Sequence, residues 1–300
     1  MKTRLFMTMA AATLLLAGCS NDENELDNWN GEIRLSSGLV VQTRANTAAV
    51  PDKQIAEDEQ IGVYVTGVSG ETDYNGYTNV SATADGAGKF SNYSTTMYYP
   101  QSGNGVQISA YHPYDSRTDA DEYDFTVETV QSTAANYFKS DLLYCTTATY
   151  ARSKDAHNLT FDHKLVKVVC NLTAGAGSPD ITNATVEIVT PKRAVKFNRK
   201  TGAVTTAGTP AKSANVTLGQ YGAIIAPQTY TMGTKFLKVT LAGGSGAFYY
   251  TIPKDEANLD LAAGSIYTFN ITVDLTGLTV TSAINEWTPV TTKDGTAVMD

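Results

Sequence analysis

The sequence predicts an all-β protein made of two β-sandwich domains in tandem, and three observations predict it. Its 17 Tyr and 24 Gly, among many Thr and Val, favour strands and tight turns. Apolar and polar residues alternate with a period of two in many short runs, and Gly, Asn, Asp and Pro separate those runs. The runs follow one another with no long helical pattern between them, as in a sandwich. At 300 residues the chain is longer than one average domain, and two domains of about 130 residues fit the length.

Residues 1–18 read as an export signal: Lys2 and Arg4 precede an apolar run, Leu5 to Leu16, which is too short to span a bilayer. The signal ends in Leu16-Ala17-Gly18-Cys19, which resembles a lipobox, so the Cys19 thiol is the expected lipid attachment point. The plainer alternative is an ordinary secretory signal with a chance cysteine. Residues 19–31 follow as a flexible acidic tether.

An N-terminal sandwich is expected over residues 32–155. Its first strand runs from Glu32 to Thr43, with Ile33, Leu35, Ser37, Leu39, Val41 and Thr43 on one face. Arg44-Ala45 comes directly after it, and residues 45–58 are small, polar and broken by Pro51. Ile61–Thr66 and Val106–Tyr111 are further strands, and His112-Pro113 ends the second of them. Asp115–Asp124 is the densest acidic stretch of the folded part. It lacks the spacing and the glycine of a calcium loop and reads as a solvated loop. Residues 132–139 suit one helical turn, and Leu142–Thr147 suits a strand.

A C-terminal sandwich is expected over residues 156–300. Phe161–Leu172 reads as one strand, and Val186–Ile188 and Val195–Phe197 as two more, with a hairpin turn at Asn198–Gly202. Ala223–Ala226 is continuously apolar, as for a strand covered on both faces. Leu237–Leu241, Phe248–Ile252, Tyr267–Val273 and Leu278–Ile284 alternate in turn. Beyond Trp287 no period-2 apolar face emerges, and Pro289 removes a ladder hydrogen bond.

Composition and motifs narrow the chemistry. The formal charge is −8, and −10 once residues 1–18 are removed, which argues against a nucleic-acid surface. His112, His157 and His163 have no metal-ligand spacing and read as surface or packing residues. Without a recognisable catalytic motif, the sequence assigns no catalytic residue, metal or cofactor. Cys145 and Cys170 lie in apolar alternating runs. Each suits a small core residue, and in an exported protein the two could instead form a disulfide.

Several short segments together resemble the fimbrillin family of Bacteroidetes, the type V pilins and their minor-fimbrillin-like relatives. They are the lipobox, Thr43-Arg44-Ala45, Ile61-Gly62-Val63-Tyr64, Ala110-Tyr111-His112-Pro113-Tyr114, Phe161-Asp162-His163-Lys164-Leu165, Ala226-Pro227-Gln228, Leu261–Tyr267 and Ile284-Asn285-Glu286-Trp287. The resemblance implies two transthyretin-like β-sandwich domains and no enzyme activity. It also implies an outer-membrane lipoprotein held at Cys19, cut after Arg44 by an Arg-specific protease, and joined to other fimbrial subunits by strand addition. A surface ligand on a host or another bacterium is a further expected partner.

The first strand suits that mechanism on physical grounds. Burial of Ile33, Leu35, Leu39 and Val41 represents about 6–12 kcal/mol of transfer free energy, so removing the strand would uncover a groove that another strand could refill. Alternatively, Arg44 is an ordinary loop arginine and the strand is permanent. The poor apolar face after Trp287 suits a tip or accessory subunit better than a shaft subunit. A second function class is a permanently lipidated surface lipoprotein that binds glycan or host protein, with tyrosines such as Tyr74 and Tyr77 stacking on sugars.

Overall fold

The computed structural model describes residues 29–38, 55–117, 120–206, 214–242 and 247–274, together with the backbone alone at Leu39, 277–286 and 293–298. In chain order the early elements are β1 (Leu35–Leu39), β2 (Gln60–Gly67), β3 (Tyr77–Ala84), β4 (Phe90–Ser91), β5 (Val106–His112), β6 (Glu122–Thr126), α1 (Ala134–Ser140), β7 (Leu143–Tyr150) and β8 (His157–His163). Seven of these strands make one sheet in the order β1-β8-β7-β5-β2-β3-β4, antiparallel throughout except that β1 runs parallel to β8. Ile61, Val63, Val65, Ile108, Leu159 and Phe161 are almost wholly buried on it. Such alternating β-branched and aromatic residues explain why these segments pair as strands.

Gly62 of β2 lies opposite Tyr111 of β5 in the ladder. A Cβ there would fall 2.2 Å from the Tyr111 ring and 2.7 Å from Asn79 Oδ1. Those two groups are locked together by a 2.7 Å hydrogen bond from the Tyr111 hydroxyl, so neither yields easily. Gly62→Ala is therefore expected to destabilise the protein by about 1–3 kcal/mol through overpacking, measured by urea unfolding.

The helix forms where Thr133 can cap it: its hydroxyl accepts the Asn136 amide at 3.3 Å, and Lys139 stands in the last turn. Its Tyr137 and Phe138 pack on Tyr221. Phe161–Leu172 does not form the single strand its pattern suggests. The chain breaks at Lys164-Leu165, and Val166 starts β9 (Val166–Ala174) in a different sheet. The break is held because the Lys164 amide donates to Leu142 O at 2.9 Å and Leu165 O accepts from Gly264 N at 2.8 Å.

The remaining strands are β10 (Thr185–Ile188), β11 (Ala194–Asn198), β12 (Val204–Thr206), β13 (Val216–Thr217), β14 (Ala223–Ile225), β15 (Gln228–Tyr230), β16 (Lys235–Thr240), β17 (Ala247–Thr251), β18 (Leu259–Leu261), β19 (Ser265–Asp274), β20 (Gly277–Glu286) and β21 (Lys293–Val298). They build a sheet of order β13-β10-β16-β17, another of order β14-β9-β19-β20-β21, and the pair β15-β18. Val166, Val168, Ile188, Phe236, Val239, Phe269 and Ile271 fill the core between them. The turn expected at Asn198–Gly202 is present, with Gly202 at φ 69° and its amide on Asn198 O at 2.8 Å.

Two sets of contacts cross residue 155, where the sequence reading divides the domains. β8 lies beyond that position yet belongs to the sheet of β2 and β5, while β6 lies before it and pairs with β11 in the three-stranded sheet β12-β11-β6. A second core cluster sits on this junction. Phe197 of β11, fully buried, packs against Tyr111, Tyr123 and Tyr144 with ring centroids 5.9, 5.8 and 6.3 Å away.

Cys145 and Cys170 are free thiols in this structure. They stand on strands of different sheets: Cys145 faces Ala110 across the β5–β7 ladder, and Cys170 lies beside Phe269 on β19. Burial pushes the Cys145 thiol up to about 11 and the Cys170 thiol up to about 12, which disfavours the nucleophilic thiolate at both.

Candidate functional site: the slot around the first strand

β1 and the residues just before it are hydrogen-bonded along both edges. On one side Leu35–Leu39 pairs in parallel with His157–Phe161, and the His157 amide donates to Arg34 O at 2.9 Å. On the other side the Ile33 amide donates to Met97 O at 2.8 Å, Tyr99 N to Gly31 O at 2.9 Å, and Ser37 N to Gly88 O at 2.8 Å. Bridges at Glu32–Tyr98 and Ser36–Lys89 complete this edge. The two ends of the seven-stranded sheet thus meet around one strand, which is bonded toward β8 from Arg34 onward and toward the wall of Gly88 and Met97–Tyr99 between Gly31 and Ser37.

The side chains follow the alternation. Ile33 is 1% exposed, Leu35 2% and Ser37 9%, while Arg34 points outward and donates to Lys154 O at 3.2 Å. In the parallel register Ser37 stands beside Leu159, which is fully buried.

The wall made by Met97–Tyr99 is held from behind by two tyrosine hydroxyls. Tyr77 Oη accepts the Tyr98 amide at 3.0 Å, and the Tyr74 hydroxyl donates to Tyr98 O at 2.8 Å. Tyr98 therefore bonds away from the strand, whereas Met97 O and Tyr99 N bond toward it. The hydroxyls of Tyr74 and Tyr77, whose rings the sequence reading offers for sugar stacking, thus brace this wall, and the two rings meet edge to face at 6.1 Å. Beside them an open cleft of about 600 Å³ is lined by Glu71, Asp73, Tyr74 and Tyr99, among others.

Two further groups shape the slot. The Asp85 carboxylate accepts the Ala87 and Lys89 amides, each at 2.8 Å, which sets the turn that presents Gly88 O; these bonds hold its pKa below the usual carboxylate range. Tyr93 Oη accepts the Leu35 amide at 3.3 Å, and burial pushes that phenol up to about 12.

His157 begins the opposite wall, hydrogen-bonded to the Tyr99 hydroxyl and with its ring 4.7 Å from that of Tyr150. Burial holds the imidazole pKa below its ordinary value of 6.5. The unfolded chain consequently takes up this proton at a higher pH than the folded one. The contribution to stability is full above the ordinary value and shrinks as the pH falls through it toward the folded value. His157→Gln is expected to flatten that part of the profile: between about pH 7.5 and 5.5 the variant loses less stability than the wild type in paired urea titrations.

Of the residues singled out from the sequence, Ile33 and Leu35 are the buried side chains of the strand that fills the slot, and the Leu39 backbone pairs with Phe161. Cys19, Val41, Arg44 and Ala45 lie outside the described residues. The sequence reading missed the walls, Gly88, Met97 and Tyr99. A bulky Met97-Tyr98-Tyr99-Pro100 run was visible, but nothing local ties it to a strand about 60 residues earlier.

Together the fold and the slot define a class: an all-β protein in which the first described strand is inserted between the two ends of a sheet and completes it. More narrowly, the chain belongs to the fimbrillin-like family, whose family model matches residues 43–287; it is a family of structural fimbrial subunits. A protein of Bacteroides uniformis that carries the name fimbrium subunit Fim1C is 31% identical over 307 residues, covering 96% of each chain. Among solved structures, the fold is shared with a protein of Bacteroides uniformis described as a cell adhesion protein (TM-score 0.63, 23% identity, 87% of this chain and 99% of that one). It is also shared with one of Bacteroides ovatus described in the same words (TM-score 0.65, 21% identity, 90% and 99%).

Proposed function

We propose that this chain is a fimbrial subunit that reaches the outer membrane as a lipoprotein anchored at Cys19, is cut after Arg44 by an Arg-specific protease, and then accepts a strand from a neighbouring subunit in place of residues 32–43. The observation that carries this reading is the slot. A strand bonded on both edges and burying Ile33 and Leu35 leaves, on departure, two unpaired edges and an apolar trough. In this reading the seven-stranded sheet belongs to the accepting sandwich and the sheets holding β9 and β10 to the second, with the sheet β12-β11-β6 joining strands from both halves of the chain.

A tip or accessory position fits better than a shaft position. The C-terminal strand β21 is paired with β20 in its own sheet, and the residues after Trp287 carry few apolar side chains to donate. Adhesion to a host or bacterial surface belongs to the same proposal. The second reading, a permanently lipidated glycan- or protein-binding lipoprotein, draws on the cleft beside Tyr74 and Tyr99.

Intact-mass analysis of the protein taken from its native cell surface tests the choice. A mature form starting at Ala45 is expected. A lipidated form starting at Cys19 throughout would leave permanent anchoring as the function.

A further inference from the structure

A strand seated in the slot with the direction and register of β1 finds the same main-chain partners, Met97 O, Tyr99 N and Gly88 O on one side and β8 on the other. Preference between the resident strand and an incoming one is therefore decided by the inward side chains. Ile33 and Leu35 are aliphatic and already almost wholly buried, so little can be gained at their positions.

Ser37 is different. Its Oγ is buried with no hydrogen-bond partner, on the same face as fully buried Leu159. Its own amide is well bonded to Gly88 O at 2.8 Å, so the defect is confined to the side chain. The hydroxyl of the neighbouring Ser36 shows what a satisfied one looks like here, with His157 O accepting from it at 3.3 Å. Burying a hydroxyl without a partner costs free energy that an aliphatic group at the same place does not.

We propose that Ser37 is the built-in weak point that makes the first strand replaceable, and that the strand which displaces it, from another subunit, carries an aliphatic residue at this position. The proposal rests on the strand-exchange reading above. It defines the partner chemically, as an extended segment with apolar residues at three successive alternate positions, the third filling the site of Ser37. The resident strand has two such residues and then a hydroxyl, which holds the fold together until cleavage without outcompeting the partner.

The test uses the full chain cut after Arg44 and three fluorescent peptides spanning residues 31–43: the natural sequence, Ser37→Ala and Ser37→Val. The Ala peptide removes the hydroxyl without adding volume, and it is expected to bind about tenfold more tightly than the natural one. The Val peptide is expected to match or exceed it. In parallel, the cleaved Ser37→Ala chain should retain its own first strand about tenfold longer than the wild type. Equal or weaker binding of the Ala peptide overturns the assignment to Ser37 while leaving strand exchange standing. Weaker binding of the Val peptide than of the natural one overturns the aliphatic partner, and failure of all three peptides to bind overturns strand exchange and this proposal with it.

Discussion

A chain lacking residues 31–39 is expected to lose about 3–6 kcal/mol of stability from Ile33 and Leu35 alone, and to associate in solution. Both side chains are almost wholly buried, so their removal uncovers apolar surface on Leu159 and Phe161 as well. The deletion also frees Met97 O and Gly88 O as acceptors and the Tyr99 and His157 amides as donors on the facing walls. Because Tyr74 and Tyr77 keep bracing Tyr98 from behind, the Met97–Tyr99 wall retains a main-chain anchor after the strand is gone. The deleted chain should therefore regain stability when a peptide of residues 31–43 is added in excess, by the usual mass-action linkage. Urea unfolding with and without the peptide, with sedimentation velocity for association, checks both parts.

Phe197→Ala is expected to cost about 3–5 kcal/mol, the range for truncating a buried phenylalanine. Phe197 is fully buried and its ring meets Tyr111 from β5, Tyr123 from β6 and Tyr144 from β7. Backbone pairing along β6–β11 fixes these rings in register, with Phe197 opposite Tyr123. The cavity therefore opens where strands from the first half of the chain meet one from the second. Chemical denaturation followed by circular dichroism should show the loss across the whole transition. A loss confined to a late, minor phase would mean that β11 contributes little to the first half of the fold.

Much of this architecture could be read from alternation alone. Ile33, Leu35 and Ser37 fall on the buried face that their parity assigns, and Ala223-Ile224-Ile225 is buried on every side chain, as its unbroken apolar run implies. Other elements were hidden for physical reasons. In β6 the inward Tyr123 and Phe125 alternate with Glu122, Asp124 and Thr126, and the acidic outer face made the segment look like part of a solvated loop. β8 and β9 merged into one run because the break at Lys164-Leu165 is made by distant partners, Leu142 and Gly264, and not by a local proline or glycine. The slot walls are non-local in the same way. A strand's own pattern says which face is buried but not which segments will close around it. The cysteines show the converse limit, since equal apolar settings placed Cys145 and Cys170 in different sheets.

Hydrogen–deuterium exchange at the β8 amides, His157 to His163, reports directly on whether the slot is filled. The wall should be protected in the uncut chain, lose protection when the chain is cut after Arg44 and its first strand is washed away, and become protected again in assembled fimbriae whose subunits start at Ala45. Continued protection after cleavage and washing, or fimbriae built from subunits that still hold residues 31–43 in the slot, would contradict a replaceable first strand.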